Sequence, residues 1–125
     1  MKSKLLIVED DLDIREYLGT ILGHENLDVA TAKSGEEAVE YLKHNATNIV
    51  LLDLGLPHIQ GDELCTILAK QYPHLKIIVV SARDKPIDSA RLKVLGAVDY
   101  IAKPFLLDDL LTRIKKYIKN IPYQG

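Results

Sequence analysis

Glu9 and Asp10, Asp53, Ser81 and Lys103 are spread over almost the whole chain, yet each stands in the same kind of place. Each follows a short apolar run that reads as a buried strand: Leu5-Leu6-Ile7-Val8, Ile49-Val50-Leu51-Leu52, Ile77-Ile78-Val79-Val80 and Val98-Asp99-Tyr100-Ile101. In open α/β sheets, ligands bind outside the carboxyl ends of the strands, where strand order reverses. Three carboxylates, one hydroxyl and one ammonium gathered there suit a divalent cation and a phosphoryl group. Mg²⁺ takes oxygen ligands in octahedral geometry and keeps several waters, so two or three carboxylates suffice; Mn²⁺ is the alternative ion. A carboxylate beside a metal can act as a nucleophile toward phosphorus, giving an aspartyl phosphate. A lysine is a point charge on a flexible stem and suits phosphate.

Each of these residues also has a plainer reading. Glu9-Asp10-Asp11 serves as an acidic helix start, with Asp11 well placed to cap free amides. Three adjacent acids exceed what one cap requires, and they repel one another unless a cation relieves them. Asp53 alone reads as a satisfied loop acid, but Leu54-Gly55-Leu56-Pro57 follows it and Gly61 comes shortly after. Gly55 leaves room around the acid, and its carbonyl could complete a metal shell. Ser81 alone reads as a turn residue before the small Ala82, and Lys103 as a surface lysine. Pro104 is a candidate for a cis peptide that turns Lys103 back over the site. Tyr100 alone reads as core. The four histidines lack metal-ligand spacing, and Cys65 lies among helical apolar residues as an inert small side chain.

The elements that must position these residues alternate. Strand-like runs at 4–8, 27–32, 48–53, 76–81 and 97–101 are separated by segments with helical spacing. Ile14, Tyr17, Leu18, Ile21 and Leu22 form one stripe within 12–23. Ser34 is a candidate N-cap before Ala38, Tyr41 and Leu42. Leu64, Ile67, Leu68 and Tyr72 mark a third helix stopped by Pro73. Residues 87–95 give a short fourth, ended by Gly96. Leu107, Leu110, Leu111, Ile114 and Ile118 give a fifth. Five such units predict a doubly wound α/β fold, with a parallel five-stranded sheet and helices on both faces. The run 27–32 is the most polar, as an edge position allows. That supports strand order 2-1-3-4-5, with Glu9-Asp10 and Asp53 side by side at the switch point.

The 125 residues fit one domain, with 1–119 as the folded unit and 120–125 as a tail or the start of a linker. A formal charge of −2 gives no electrostatic case for nucleic-acid binding by this domain. A single cysteine fits a reducing compartment. No apolar stretch approaches the roughly 20 residues of a membrane span, and no secretory signal is present, so a cytoplasmic domain without membrane contact is expected.

Over residues 3–119 the chain resembles the receiver domain of two-component response regulators, a CheY-like, flavodoxin-like (βα)5 fold. The residues that carry the resemblance are Ile7-Val8-Glu9-Asp10-Asp11, Asp53-Leu54-Gly55-Leu56-Pro57 with Gly61, Val80-Ser81-Ala82 and Tyr100-Ile101-Ala102-Lys103-Pro104-Phe105. The resemblance implies that Asp53 is the phosphoacceptor, that Asp10 binds Mg²⁺ directly and Glu9 largely through water, and that Gly55 supplies a backbone carbonyl. It implies that Ser81 and Lys103 hold phosphoryl oxygens and that Tyr100 is an aromatic switch that turns inward with Ser81. The implied donor is a sensor histidine kinase or phosphotransfer protein, and the implied output is a partner protein or an attached domain controlled through the 81–105 surface. Such a domain catalyses only its own phosphotransfer and dephosphorylation and is not otherwise an enzyme. The resemblance also implies that Gly55 and Arg83, two residues after Asp53 and Ser81, border the route of the water that ends the signal.

Tyr-Ile-Ala-Lys-Pro-Phe and the amphipathic last helix resemble the winged-helix transcription-factor branch, which dimerises by charge pairs. Asp99 and Arg113 match one pair, whereas Ser89 and Val94 replace a basic and an acidic residue, so a homodimer stays open. Leu56 and Gln60 stand where Met and Asp are commoner. The alternative within the fold is a degenerate receiver, a binding module that takes no phosphate. A dehalogenase-type phosphatase wants a second Asp where Gly55 stands. A flavin carrier needs a phosphate-cradling loop where Glu9-Asp10-Asp11 would repel the ligand.

Overall fold

The computed structural model of the chain describes residues 2–56, 60–82 and 84–118. Arg83 and the tail expected at 120–125 lie outside them. The strands are β1 (Ser3–Val8), β2 (Leu27–Ala32), β3 (Ile49–Asp53), β4 (Lys76–Ala82) and β5 (Asp99–Lys103). The helices are α1 (Leu12–Gly23), α2 (Gly35–His44), α3 (Gly61–Gln71), α4 (Ser89–Leu95) and α5 (Leu107–Ile118). All strand pairs are parallel, in the order β2-β1-β3-β4-β5. The expected α/β class, element order and strand order are all found.

Side chains alternate across a strand, and the sheet divides its apolar residues accordingly. Leu6, Val8, Val50, Leu52, Ile77 and Val79 pack in one layer with Leu42, Leu64, Cys65, Leu68 and Leu95 of α2, α3 and α4. Leu5, Ile7, Ile49, Leu51, Ile78, Val80 and Ile101 pack in the other with Leu18 and Leu22 of α1 and Leu110 and Ile114 of α5. Near-continuous apolar runs such as Ile49–Leu52 are what a strand buried on both faces requires.

Local sequence sets the helix ends. Asp11 and Ser34 accept hydrogen bonds from Ile14 N (3.0 Å) and Glu37 N (3.1 Å), and Glu37 reaches back to Lys33 N at 3.2 Å. The fourth helix starts at Ser89 rather than 87, because the Asp88 side chain caps Arg91 N at 2.8 Å and leaves Ile87 outside. Gly96 closes that helix at φ 78°, and Ala97 N still bonds Leu92 O at 3.1 Å. Ala97 thus belongs to the helix end, which is why the fifth strand runs Asp99–Lys103 instead of 97–101. Lys103 is the last residue of β5, paired with Ala82, rather than a residue beyond the strand.

Gly61 opens α3 against the backbone that follows Asp53. A Cβ there would lie 2.3 Å from Leu54 Cα and 2.5 Å from Leu54 O. Backbone cannot step aside as a flexible side chain does. Gly61→Ala is therefore expected to cost about 2 kcal/mol and lower Tm by roughly 5–10 °C. Calorimetry of the two proteins measures this, and an unchanged Tm would show that the start of α3 is free to shift.

Candidate functional site

The register sets the site. Val8 is level with Leu52, so Glu9 continues one strand where Asp53 ends its neighbour. Asp53 is in turn level with Val80, and Leu54 N bonds Val80 O at 2.9 Å. The pleat then sorts the side chains. Glu9, Asp53 and Lys103 continue the alternation of Ile7, Leu51 and Ile101 and meet on the α1/α5 side of the edge. Ser81 and Tyr100 continue the alternation of Val79 and fall on the α3/α4 side, where Tyr100 packs against the apolar layer.

Lys103 Nζ lies 2.7 Å from Glu9 Oε1 and 3.2 Å from Asp53 Oδ2. Its ammonium joins three strands whose residues are 94 and 50 positions apart in sequence. The other Asp53 oxygen, Oδ1, accepts from Gly55 N at 2.9 Å. A Cβ at Gly55 would stand 3.4 Å from that same oxygen, so the residue leaves the carboxylate open on its loop side. Glu9 Oε2 accepts from Asp11 N at 3.2 Å. The Lys103–Pro104 peptide is cis.

Glu9, Asp10 and Asp53 bring one carboxylate oxygen each within 4.8 Å of one another. Glu9 and Asp53 are buried, Asp10 exposed. Hard oxygen donors in that number match an ion such as Mg²⁺ or Mn²⁺, so the residues present fit the cation their chemistry suggests. Ser81 is also buried, and its hydroxyl donates to Lys85 O at 3.0 Å, so its present partner is the β4–α4 segment. A cleft of about 790 Å³ opens between α3 and α4 beside these groups, lined by Asp53, Gly55, Ser81 and Lys103 among others.

Sequence reasoning passed over three contributors. Arg15 Nη1 donates to Glu9 O (2.9 Å) and Asp10 O (3.3 Å), fixing the acidic turn from α1. Lys85 supplies the carbonyl that holds Ser81. Asp62 of α3 pairs with Arg91 of α4 on the wall of the cleft. The Arg15 signal was available, four residues after the capping Asp11. The other two join loop backbone or residues 29 apart and leave no periodic trace.

Electrostatics reflect the crowding. Burial first, and then Asp53, push the Glu9 carboxyl up to about 7, against the downward pull of Lys103 and Asp11 N. For Lys103, burial favours the neutral amine, but the hydrogen bonds and charges of Glu9 and Asp53 together outweigh it and hold its pKa above the ordinary value.

A buried acidic edge with one ammonium at the switch point of the sheet defines the class: a doubly wound α/β domain with its candidate site at the strand ends. Residues 5–115 match the family model described as "Response regulator receiver domain". The chain is 36% identical over 123 residues to the response regulator ArlR of Staphylococcus saprophyticus, covering 98% of this chain and 56% of that protein. It is 37% identical over 117 residues to the heme response regulator HssR of Staphylococcus haemolyticus, covering 94% of this chain and 52% of that protein. The chain therefore spans about half the length of these relatives. Among solved structures, a CheY-like receiver domain protein of Methanospirillum hungatei superposes with TM-score 0.88 at 31% identity, covering 95% of both chains. The response regulator TrrA of Thermotoga maritima, in complex with Mg²⁺-BeF, superposes with TM-score 0.82 at 32% identity, covering 94% of this chain and 99% of that one. The chain belongs to the response regulator receiver domains of two-component systems, a family in which phosphorylation falls on an aspartate.

A carboxyl whose folded pKa is raised binds its proton more tightly folded than unfolded, so the fold loses stability as pH rises from the unfolded value of 4.5 to about 7. In a chelating buffer, wild type is expected to lose stability relative to Glu9→Gln between pH 5 and pH 8. Urea unfolding of both proteins at the two pH values reads this, and parallel pH profiles would contradict it.

Proposed function

We propose that Asp53 accepts a phosphoryl group from the phosphohistidine of a sensor histidine kinase or phosphotransfer protein, and that residues 1–119 act as the receiver unit. The observation that carries this reading is the Lys103 ammonium bridging Glu9 and Asp53 at the carboxyl end of the sheet. An Asp53 oxygen attacks phosphorus, the N–P bond breaks, and the imidazole leaves. Lys103 and Ser81 bind phosphoryl oxygens, Ser81 by releasing Lys85 O. Glu9, Asp10, Asp53 and the Gly55 carbonyl would hold Mg²⁺, or Mn²⁺ in its place. Bound there, the ion neutralises charge on the transferring group. Most of the catalysis is positioning and charge compensation, as in other phosphoryl transfers. The chain thus works as a phosphoacceptor and not as a turnover enzyme, in the cytoplasm, with Tyr100 and Ser81 relaying the new state to an output domain or partner.

Gly55 leaves the loop side of Asp53 open, and the route of the hydrolysing water passes there. Arg83, the other residue expected to border that route, lies outside the described residues. Asp99, one half of a charge pair expected across a dimer, bonds Arg113 of its own chain at 2.7 Å and accepts from Tyr117 Oη at 3.2 Å. A homodimer through this face would have to open that network.

Intact-protein mass after incubation with acetyl phosphate and Mg²⁺ tests the reading. A single phosphoryl adduct that needs Mg²⁺ and is absent in Asp53→Asn is the expected result. No adduct in wild type, with no response to beryllofluoride, would make the chain a receiver that binds partners without phosphorylation.

Removing the ammonium separates binding from charge compensation. Lys103→Met is expected to slow adduct formation by about 10²-fold or more, the scale of losing one preorganised electrostatic contact, while the adduct remains Mg²⁺-dependent. The initial rate from the same mass assay measures it.

A further inference from the structure

Helix α4 is poorly anchored. It has seven residues, of which only Leu95 is buried, and Val94 is 69% exposed. Its firm contacts are at the C-terminal end. Cys65 Sγ donates to Leu95 O at 3.3 Å, and Gly96 sits so close to α3 that a Cβ would lie 2.4 Å from Ala69 Cβ. At the N-terminal end, the Arg91 guanidinium reaches across to the Asp62 carboxylate of α3. Both residues line the cleft beside Asp53.

The two sides of this bridge are held unequally. Gly61, next to Asp62, is jammed against Leu54 backbone and so tied to the strand end that carries Asp53. On the other side, α4 continues through its Asp88 cap into the segment whose Lys85 carbonyl holds the Ser81 hydroxyl. At this end Ile87 and Leu92 only partly enter the apolar layer, and a short helix with one buried residue opens easily, so a cross-link there shifts its equilibrium.

We propose that the Asp62–Arg91 pair is a strap that keeps α4 and the 84–88 segment in the resting position, and so keeps Ser81 on Lys85 O and slows phosphoryl acceptance. The inference rests on Asp53 being the phosphoacceptor. Asp62 and Arg91 are positioning residues here and act on Asp53 only through Ser81. Because an exposed ion pair stabilises modestly, release of the strap is expected to change rates by about twofold to fivefold.

Asp62→Asn, Arg91→Gln and the exchanged pair Asp62→Arg with Arg91→Asp test it, using the initial rate of the Asp53 adduct from acetyl phosphate. Loss of the strap makes both single variants faster, and the exchanged pair returns to the wild-type rate. Simple attraction of the anionic donor gives a different pattern, with Asp62→Asn faster and Arg91→Gln slower, and that pattern would overturn the strap. So would single variants that match wild type. Hydrogen exchange of the 92–97 amides in the unphosphorylated protein gives a second readout, independent of the donor. Both single variants should exchange faster and the exchanged pair should not, and equal protection in all four proteins would rule the strap out. If wild type forms no adduct at all, the phosphoacceptor reading itself fails and the strap falls with it, a result distinct from equal rates among phosphorylated proteins.

Discussion

Carboxylates crowded at one sheet edge repel, and this edge is tolerable because one ammonium stands among them. Lys103 reaches Glu9 and Asp53 from a strand three places away from β1 and two from β3, so the interaction exists only when β1, β3, β4 and β5 are in register. A register slip of one residue would turn each of these side chains to the opposite face. The balance is incomplete: one ammonium faces three acids, and burial leaves Glu9 with a raised affinity for protons. The edge is therefore short of positive charge, which a bound cation would supply.

The rest of the molecule is arranged around that edge with unequal stiffness. The sheet is buried on both sides, and β3 is buried along its whole length. Asp53 thus ends the one strand buried at every position among the described residues. Helix α4, which follows β4, buries only Leu95. A phosphoryl group on this buried strand end would pull on neighbouring groups from a well-held point, and the side with less buried surface would yield. A two-state response needs this contrast between a fixed point and an element with little holding it.

Much of this was legible in the sequence because burial on both faces forces long apolar runs, and five such runs alternating with helical stripes leave few topologies. The strand order followed from the polar Asp28 and Thr31 in the edge strand. Glu9, Asp10, Asp53, Ser81 and Lys103 were found because all of them end or follow such runs. Boundaries were less legible. Gly96 was recognised as a helix stop, but Ala97 also bonds back to the helix, and that shifts β5 by two residues. The present partner of Ser81 was not legible at all, since it is a backbone carbonyl in a loop and any residue supplies one. The Asp62–Arg91 pair depends on how α3 and α4 lie against each other, which no pattern within either helix encodes.

The pleat of the sheet has a wider consequence. Glu9, Asp53 and Lys103 belong to the layer of α1 and α5, whereas Ser81 and Tyr100 belong to the layer of α3 and α4. Substitutions accumulating in one layer leave the other largely untouched. A lineage could remodel the α1 side to suit a new donor while its α4 side kept its old listener, or the reverse. The two-residue period of a β-strand thus gives one small domain two sides open to separate change.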